Sequence, residues 1–334
     1  MLRAFVVIGI CVACVASTPA TMAVRRFQMA LWNSDDPTLS ELGWLEYNQA
    51  QSPAPRRSVF FIPSSALSSP ESSPGAGDQG WVEKYDNATE AELPARDAVV
   101  RDAVTALLGQ MKRDWSRIDA VVIDEPFLAA AKGGGSSNPC ADGELYRRVQ
   151  MMQRVLANAA AVIRGLEHAE KTRFWVNFSE PEIEWMNSGV CHSVRFNDWY
   201  MDVVSIDIYG RDFSQIEPLY NALFADRPTA YQQLALIPGT YSASARAFAA
   251  NDVADRLQGF FNYANKMNQS CSLPIGRVGL TQSADRCPIW LVAGFWGGTA
   301  MMEGDDRAPM FHEYSKAIKG RWEQAARAHA PGKR

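Results

Sequence analysis

The chain has 334 residues, 47% of them apolar and ten of them Trp, an ordinarily globular composition with enough material to bury a sizeable core in one large domain or two small ones. Its formal charge is −4, and no run of Lys or Arg interleaves with aromatics, which speaks against nucleic acid and anionic membrane as partners.

At the amino terminus Arg3 precedes an apolar run from Ala4 to Ala16 and a small-residue stretch ending Thr21-Met22-Ala23. Residues 1–23 therefore read as a secretory signal, because the apolar run is well short of the roughly 20 residues a bilayer span needs. A lipid anchor at Cys14 is the lesser alternative, since Cys11 stands where a lipobox would want Leu or Val. Residues 24–330 are then the folded part and 331–334 a tail, in a mature chain secreted or periplasmic and free of the membrane once the signal is removed. Cys11 and Cys14 lie within the signal, and Cys140, Cys191, Cys271 and Cys287 remain. Sequence proximity favours Cys140 with Cys191 and Cys271 with Cys287 among the three possible pairings. Asn87, Asn177 and Asn268 each open a glycosylation sequon.

Short β-branched or aromatic runs alternate with segments of helical period. Strands are predicted near Phe27–Trp32, Ser58–Ile62, Ala120–Asp124, Phe174–Phe178, Val203–Ile208, Leu234–Ile237 and Ile289–Phe295. An eighth is placed either at Gly276–Leu280 or within Trp81–Tyr85. Helices are predicted over Glu90–Lys112, Gly143–Ala169, Ser214–Phe224, Asn251–Met267 and Pro309–Ala328, with Thr89 and Glu92 forming a capping box ahead of the first. Repeated βα order with no linker predicts a single-domain α/β protein, a (β/α)8 TIM barrel rather than an open doubly wound sheet. Two loops, Pro63–Gly80 and Lys132–Ala141, follow strand carboxyl ends and read either as a rim around a cleft or as exposed padding.

Several motifs carry no chemistry. Gly75-Ala-Gly77-Asp-Gln-Gly80 satisfies the dinucleotide pattern, yet Ser and Pro precede it rather than a buried strand. Phosphate-loop, H-E-x-x-H and G-x-S-x-G patterns are absent, and His168, His192, His312 and His329 have no ligand spacing. No cofactor is expected.

Acids and aromatics at strand carboxyl ends remain. Asp124 and Glu125 stand where the apolar run from Ile118 stops, and Pro126 ends regular pairing. In Val203–Gly210 the polar residues Ser205, Asp207 and Tyr209 alternate with Val204, Ile206 and Ile208, so Asp207 is predicted to point into the barrel. A carboxylate there is costly unless hydrogen-bonded, paired or used. Asn177 and Ser179 share a face, while Glu180 serves either a site or the start of the helix opened by Pro181-Glu182-Ile183. Trp32, Tyr241 and Trp296 add aromatics near strand ends. Such surfaces stack on the C–H faces of sugars while carboxylates and amides bind the hydroxyls.

On these features the chain resembles the TIM-barrel glycoside hydrolase superfamily, in architecture over most of residues 24–330. Chitinase-like barrels end a strand D-x-x-D-x-D-x-E; Asp119 and Glu125 keep the alternation, with Val121 and Ile123 where acids would stand. The large retaining clan ends a strand Asn-Glu-Pro, and Asn177-Phe-Ser-Glu180-Pro181 carries two extra residues inside that pattern. No late strand ends in an obvious nucleophilic Glu, Pro238-Gly239-Thr240-Tyr241 occupying one candidate end. The resemblance implies two carboxylates across a glycosidic bond, one protonated as general acid. Glu125 is the expected acid and Asp207 its partner, with Asp124 and Glu180 as substitutes and Asn177 and Tyr209 orienting by hydrogen bonds. Trp32, Tyr241 and Trp296 would line the substrate, and the chain is expected to act on a carbohydrate as a monomer. The alternatives are a non-catalytic carbohydrate- or partner-binding barrel, and a barrel hydrolase or lyase holding a divalent metal through Asp124, Glu125 and Asp207.

Overall fold

The computed structural model describes residues 27–31, 58–62, 64–68, 80–110, 115–132, 138–170, 172–208, 211–228, 232–237, 259–260, 262–263 and 289–293. Its centre is a parallel sheet of β1 (Phe27–Leu31), β2 (Ser58–Ile62), β3 (Ile118–Asp124), β4 (Arg173–Ser179), β5 (Val203–Asp207), β6 (Gln233–Leu236) and β7 (Ile289–Ala293). All seven predicted strands form, each a short and mainly apolar run that parallel pairing can bury, β-branched or aromatic in β2, β3, β4, β5 and β7. Among the described residues the α-helices that accompany them are α1 (Ser64–Leu67), α2 (Leu93–Gln110), α3 (Pro126–Ala130), α4 (Gly143–Gly165), α5 (Glu180–Ser188) and α6 (Phe213–Ala225).

The order across the sheet is β1-β7-β6-β5-β4-β3-β2. Every strand from β2 to β7 lies beside its neighbour in sequence, and β1 pairs with β7. A doubly wound sheet reverses its order at a switch point, and this one does not. The described ladders leave β1 and β2 at the ends of the series, with Cα atoms that approach within 8 Å of each other.

One face of the sheet packs on helices. Val121, Ile123, Phe174, Val176, Phe178, Val204, Ile206, Leu234 and Leu236 join one buried cluster with Val100, Val104 and Leu108 of α2 and Val149, Met152, Leu156 and Ile163 of α4. The helical residues recur every three or four positions, the spacing of one helix face. The other face is also buried: Ala120, Val122, Trp175, Val203 and Ala235 are each 0% exposed.

Rim segments are tied down by polar pins. Arg148 of α4, itself buried, donates from Nη2 to Glu83 Oε1 at 2.5 Å and Ser68 Oγ at 2.9 Å, and from Nε to the Ala130 carbonyl at 2.9 Å. A disulfide joins Cys140 to Cys191 as expected, with Cα atoms 5.3 Å apart. Cys271 and Cys287 lie outside the described residues, as do the signal segment 1–23, Gly276–Leu280, the predicted Pro309–Ala328 helix and most of Asn251–Met267.

The alternative eighth strand at Trp81–Tyr85 is corrected: Val82–Tyr85 is a 3-10 turn. Its two best-buried side chains, Val82 and Tyr85, are three residues apart, the eclipsed spacing of a 3-10 helix rather than the alternation of a strand. The Thr89–Glu92 capping box is present, with the Thr89 N–H donating to Glu92 Oε2 at 2.7 Å. The sequon at Asn177 is closed to glycosylation of the folded chain, because Asn177 is fully buried in β4, whereas Asn87 is exposed.

Candidate functional site

Strand register builds the site. Val122, Trp175 and Val203 form one row across β3, β4 and β5; Asp124, Asn177 and Ser205 form the next toward the strands' carboxyl ends; Ser179 and Asp207 follow. Paired residues of a sheet share a face, so polarity rises along a single face from an apolar floor to a carboxyl-bearing edge.

The middle row is one directed hydrogen-bond chain. Trp175 Nε1–H donates to Ser205 Oγ at 2.7 Å, the Ser205 hydroxyl donates to Asn177 Oδ1, and Asn177 Nδ2 donates to Asp124 Oδ1 at 2.6 Å. An indole N–H can only donate and a carboxylate can only accept, so the two ends together set the direction of the chain and leave Asp124 as its final acceptor. Asn177 and Ser205 are fully buried, so breaking any link strands a polar group away from water.

Burial pushes the Asp124 carboxyl up to about 6, opposed by the Asn177 hydrogen bond. Its neighbour Glu125 is half-buried at the strand-to-helix junction, with its N–H donating to the Asn177 carbonyl at 2.8 Å. Burial and then the adjacent Asp124 charge push the Glu125 carboxyl up to about 7. Glu125 has a left-handed backbone, φ 44° and ψ 48°, which is unfavourable for a residue with a Cβ. The turn lets the chain leave β3 and enter α3 at once, with Pro126 as its first residue.

Asp207 closes β5, half-buried, and pairs in register with Ser179. Described β5–β6 pairing covers Val203 and Val204 against Gln233 and Leu234. Beyond it the Tyr220 hydroxyl bridges the strands, accepting from the Ile237 N–H at 3.2 Å and donating to the Ile206 carbonyl at 3.3 Å. Burial pushes the Tyr220 phenol up, and the charge of Asp207 adds to the rise.

Glu180, expected either in a site or at a helix start, stands at the junction of β4 and α5. It is the first residue of α5, and its Oε1 lies 2.5 Å from Arg211 Nη1 in an ion pair. The acid that sequence reasoning passed over is Glu182, which is 0% exposed. Its Oε2 accepts from the Ser179 N–H at 2.5 Å and the Ser179 hydroxyl at 2.9 Å, and its Oε1 from the N–H groups of Phe127 at 2.6 Å and Leu128 at 3.0 Å. Burial pushes its carboxyl up to about 8, while these hydrogen bonds pull the other way. All four partners are donors, so an added proton would confront an N–H or O–H; the geometry itself suits the carboxylate. The signal was available as Ser179-x-x-Glu182, the same capping pattern as Thr89-x-x-Glu92.

Trp32, Tyr209, Tyr241 and Trp296, expected to touch substrate or orient it, lie outside the described residues. A separate cavity of about 410 Å3 is lined by Trp185, His192, Arg195, Phe196 and Asp226 among others, and by none of the strand-end acids. Among the described residues no group of three or more His, Cys, Asp or Glu is disposed to hold a metal ion, and no helix is long and apolar enough to cross a membrane.

No protein-family model matches the chain, and no curated protein matches its sequence. Solved structures with a similar backbone path include a glycoside hydrolase family 5 enzyme from Prevotella bryantii B14, 11% identical, over 82% of this chain and 76% of that one with a TM-score of 0.45. A GH5-4 broad-specificity endoglucanase from an uncultured bacterium is 10% identical, over 84% and 74% with a TM-score of 0.39. A structure of fungal β-1,4-galactanases is 12% identical, over 87% and 86% with a TM-score of 0.38.

Proposed function

We propose that the chain is an extracytoplasmic glycoside hydrolase-like barrel, residues 24–330, that cleaves a glycosidic bond of a poly- or oligosaccharide with two carboxyl groups. The observation that carries this reading is the carboxyl edge of the sheet. There Asp124 and Asp207 occupy adjacent rows of one polar face, and Glu125 stands half-open at the strand end, held up to about 7 by burial and by Asp124. A carboxyl group poised near neutrality and reachable from water is suited to protonate a leaving oxygen. Strands β3 and β5 flank β4, which sets their backbones about 10 Å apart. Side chains reaching inward from such a span can meet the carboxyl separations of about 5 to 9.5 Å that flank glycosidic bonds. Glu125 is the acid and Asp207 the base or nucleophile; Asp124 raises the Glu125 proton affinity, and Asn177 holds Asp124. In this reading the sheet closes between β1 and β2, and the approach of their Cα atoms within 8 Å supports it.

The test is reducing-end release from a panel of polysaccharides by wild type, Glu125→Gln and Asp207→Asn, each checked for fold by circular dichroism. Each substitution is expected to cut turnover by about 10²–10⁴-fold. Full activity in the Glu125→Gln protein would remove Glu125 as the acid, and binding without turnover by wild type would favour a non-catalytic lectin-like barrel.

A further inference from the structure

Glu125 occupies a left-handed backbone conformation that is unfavourable for a Cβ-bearing residue, so something must hold it there. On its amino-terminal side its own N–H is fixed to the Asn177 carbonyl at 2.8 Å. On its carboxyl-terminal side the next two free N–H groups, those of Phe127 and Leu128, converge on one oxygen of Glu182. The other oxygen of Glu182 grips Ser179, the residue that ends β4 and caps α5. A single buried carboxylate therefore staples the first turn of the five-residue α3 to the start of α5, with Glu125 at the hinge between β3 and α3. A helix this short has almost no stability of its own, so its first turn depends on that staple. Asp124 on the same strand, and Glu182 across from it, are the charged groups that bear on the Glu125 carboxyl.

We propose that Glu182 is the positioning residue for Glu125: it holds the left-handed turn that keeps the Glu125 carboxyl folded against the sheet edge rather than swung into water. The role rests on Glu125 as the general acid, since a swung-out carboxyl would leave the sugar oxygen and lose the burial that keeps it protonated near neutrality.

The test follows the Glu125 carboxyl by carbon-13 NMR titration in the full chain with labelled glutamate, in wild type, Glu182→Gln and Glu182→Asp. Gln sets an amide N–H2 against two donors, and Asp is too short to reach both turns. Either substitution is expected to drop the Glu125 midpoint by about one pH unit or more toward the ordinary carboxylate range, and Asp, which keeps the negative charge, separates loss of the turn from loss of charge repulsion. The alkaline limb of any polysaccharide cleavage should move by the same amount, with kcat falling and KM nearly unchanged. A Glu182 that merely stabilised helix ends would lower Tm and leave the Glu125 midpoint where it was; that result, in either folded variant, overturns the proposal. In the wild-type protein, slow hydrogen exchange at the Phe127 and Leu128 amides is expected, and rapid exchange at both overturns it without any substitution. Because the NMR titration and the hydrogen exchange need no turnover, a wild-type chain that cleaves nothing would refute the hydrolase reading while leaving the coupling of Glu182 to Glu125 separately measured.

Discussion

At the scale of single residues, the carboxyl edge is a place where stability is given up. Glu125 has an ordinary value of 4.5 and is held up to about 7 in the folded chain. The folded state binds its proton more tightly than the unfolded state does, so this contribution to stability is complete below about 4.5 and is lost as pH rises through about 7. Glu125→Gln carries no charge to bury. Denaturant unfolding at pH 8 should therefore find this variant more stable than wild type by about 1–3 kcal/mol, a range discounted for the partial access of Glu125 to water. The difference should vanish near pH 4, and a variant less stable than wild type at pH 8 would show that Glu125 is not paying a burial cost. The residues of the polar row were visible in the sequence because Ser205 and Asp207 alternate with apolar neighbours and Asn177 shares a face with Ser179. The chain of donors through Trp175 was not, since register between strands is a tertiary property that no local spacing encodes.

At the scale of elements, the same limit appears in a different form. Strands were legible because a β-branched run buried on both faces leaves a local mark, as in Ile118–Asp124. Helix α3 was not, because five residues are too few to display a helical period, and its start is secured by Glu182 from another element. Glu182 itself was overlooked beside Glu180, although the Ser179-x-x-Glu182 spacing was present; spacing alone does not distinguish a cap that stops at its own helix from one that reaches a second. The Arg148 pin is likewise a product of the fold, gathering Ser68, Glu83 and Ala130 from three rim segments. Truncating one partner of a buried ion pair leaves the other charge uncompensated. Arg148→Ala should thus cost about 3–5 kcal/mol in chemical denaturation, and a loss below about 1 kcal/mol would mean that water already satisfies Glu83.

At the scale of the whole molecule, the sheet keeps sequence order from β2 to β7 and returns β1 to β7, the order expected of a wound barrel and not of an open nucleotide-binding sheet. The Cys140–Cys191 bond closes a loop with a sequence separation of 51 that contains α4, β4 and α5, including Asn177 and Glu182. Replacing both cysteines with Ser should lower stability by about 2–4 kcal/mol, chiefly by freeing the unfolded chain. A Tm unchanged by the double substitution would contradict that account. The pairing was legible from proximity, whereas the eighth-strand alternative at Trp81–Tyr85 failed because an apolar cluster without strict alternation fits a 3-10 turn equally well.

The central claim is that a carboxyl group at the end of β3 is held protonated near neutrality to act as an acid. The most direct measurement is the pH dependence of kcat/KM for polysaccharide cleavage by the wild-type chain. The account predicts that activity falls on the alkaline side with a midpoint near 7, set by Glu125. A profile that stays level from about pH 6 to pH 9 would contradict it, because an acid with that proton affinity is ionised over most of that range.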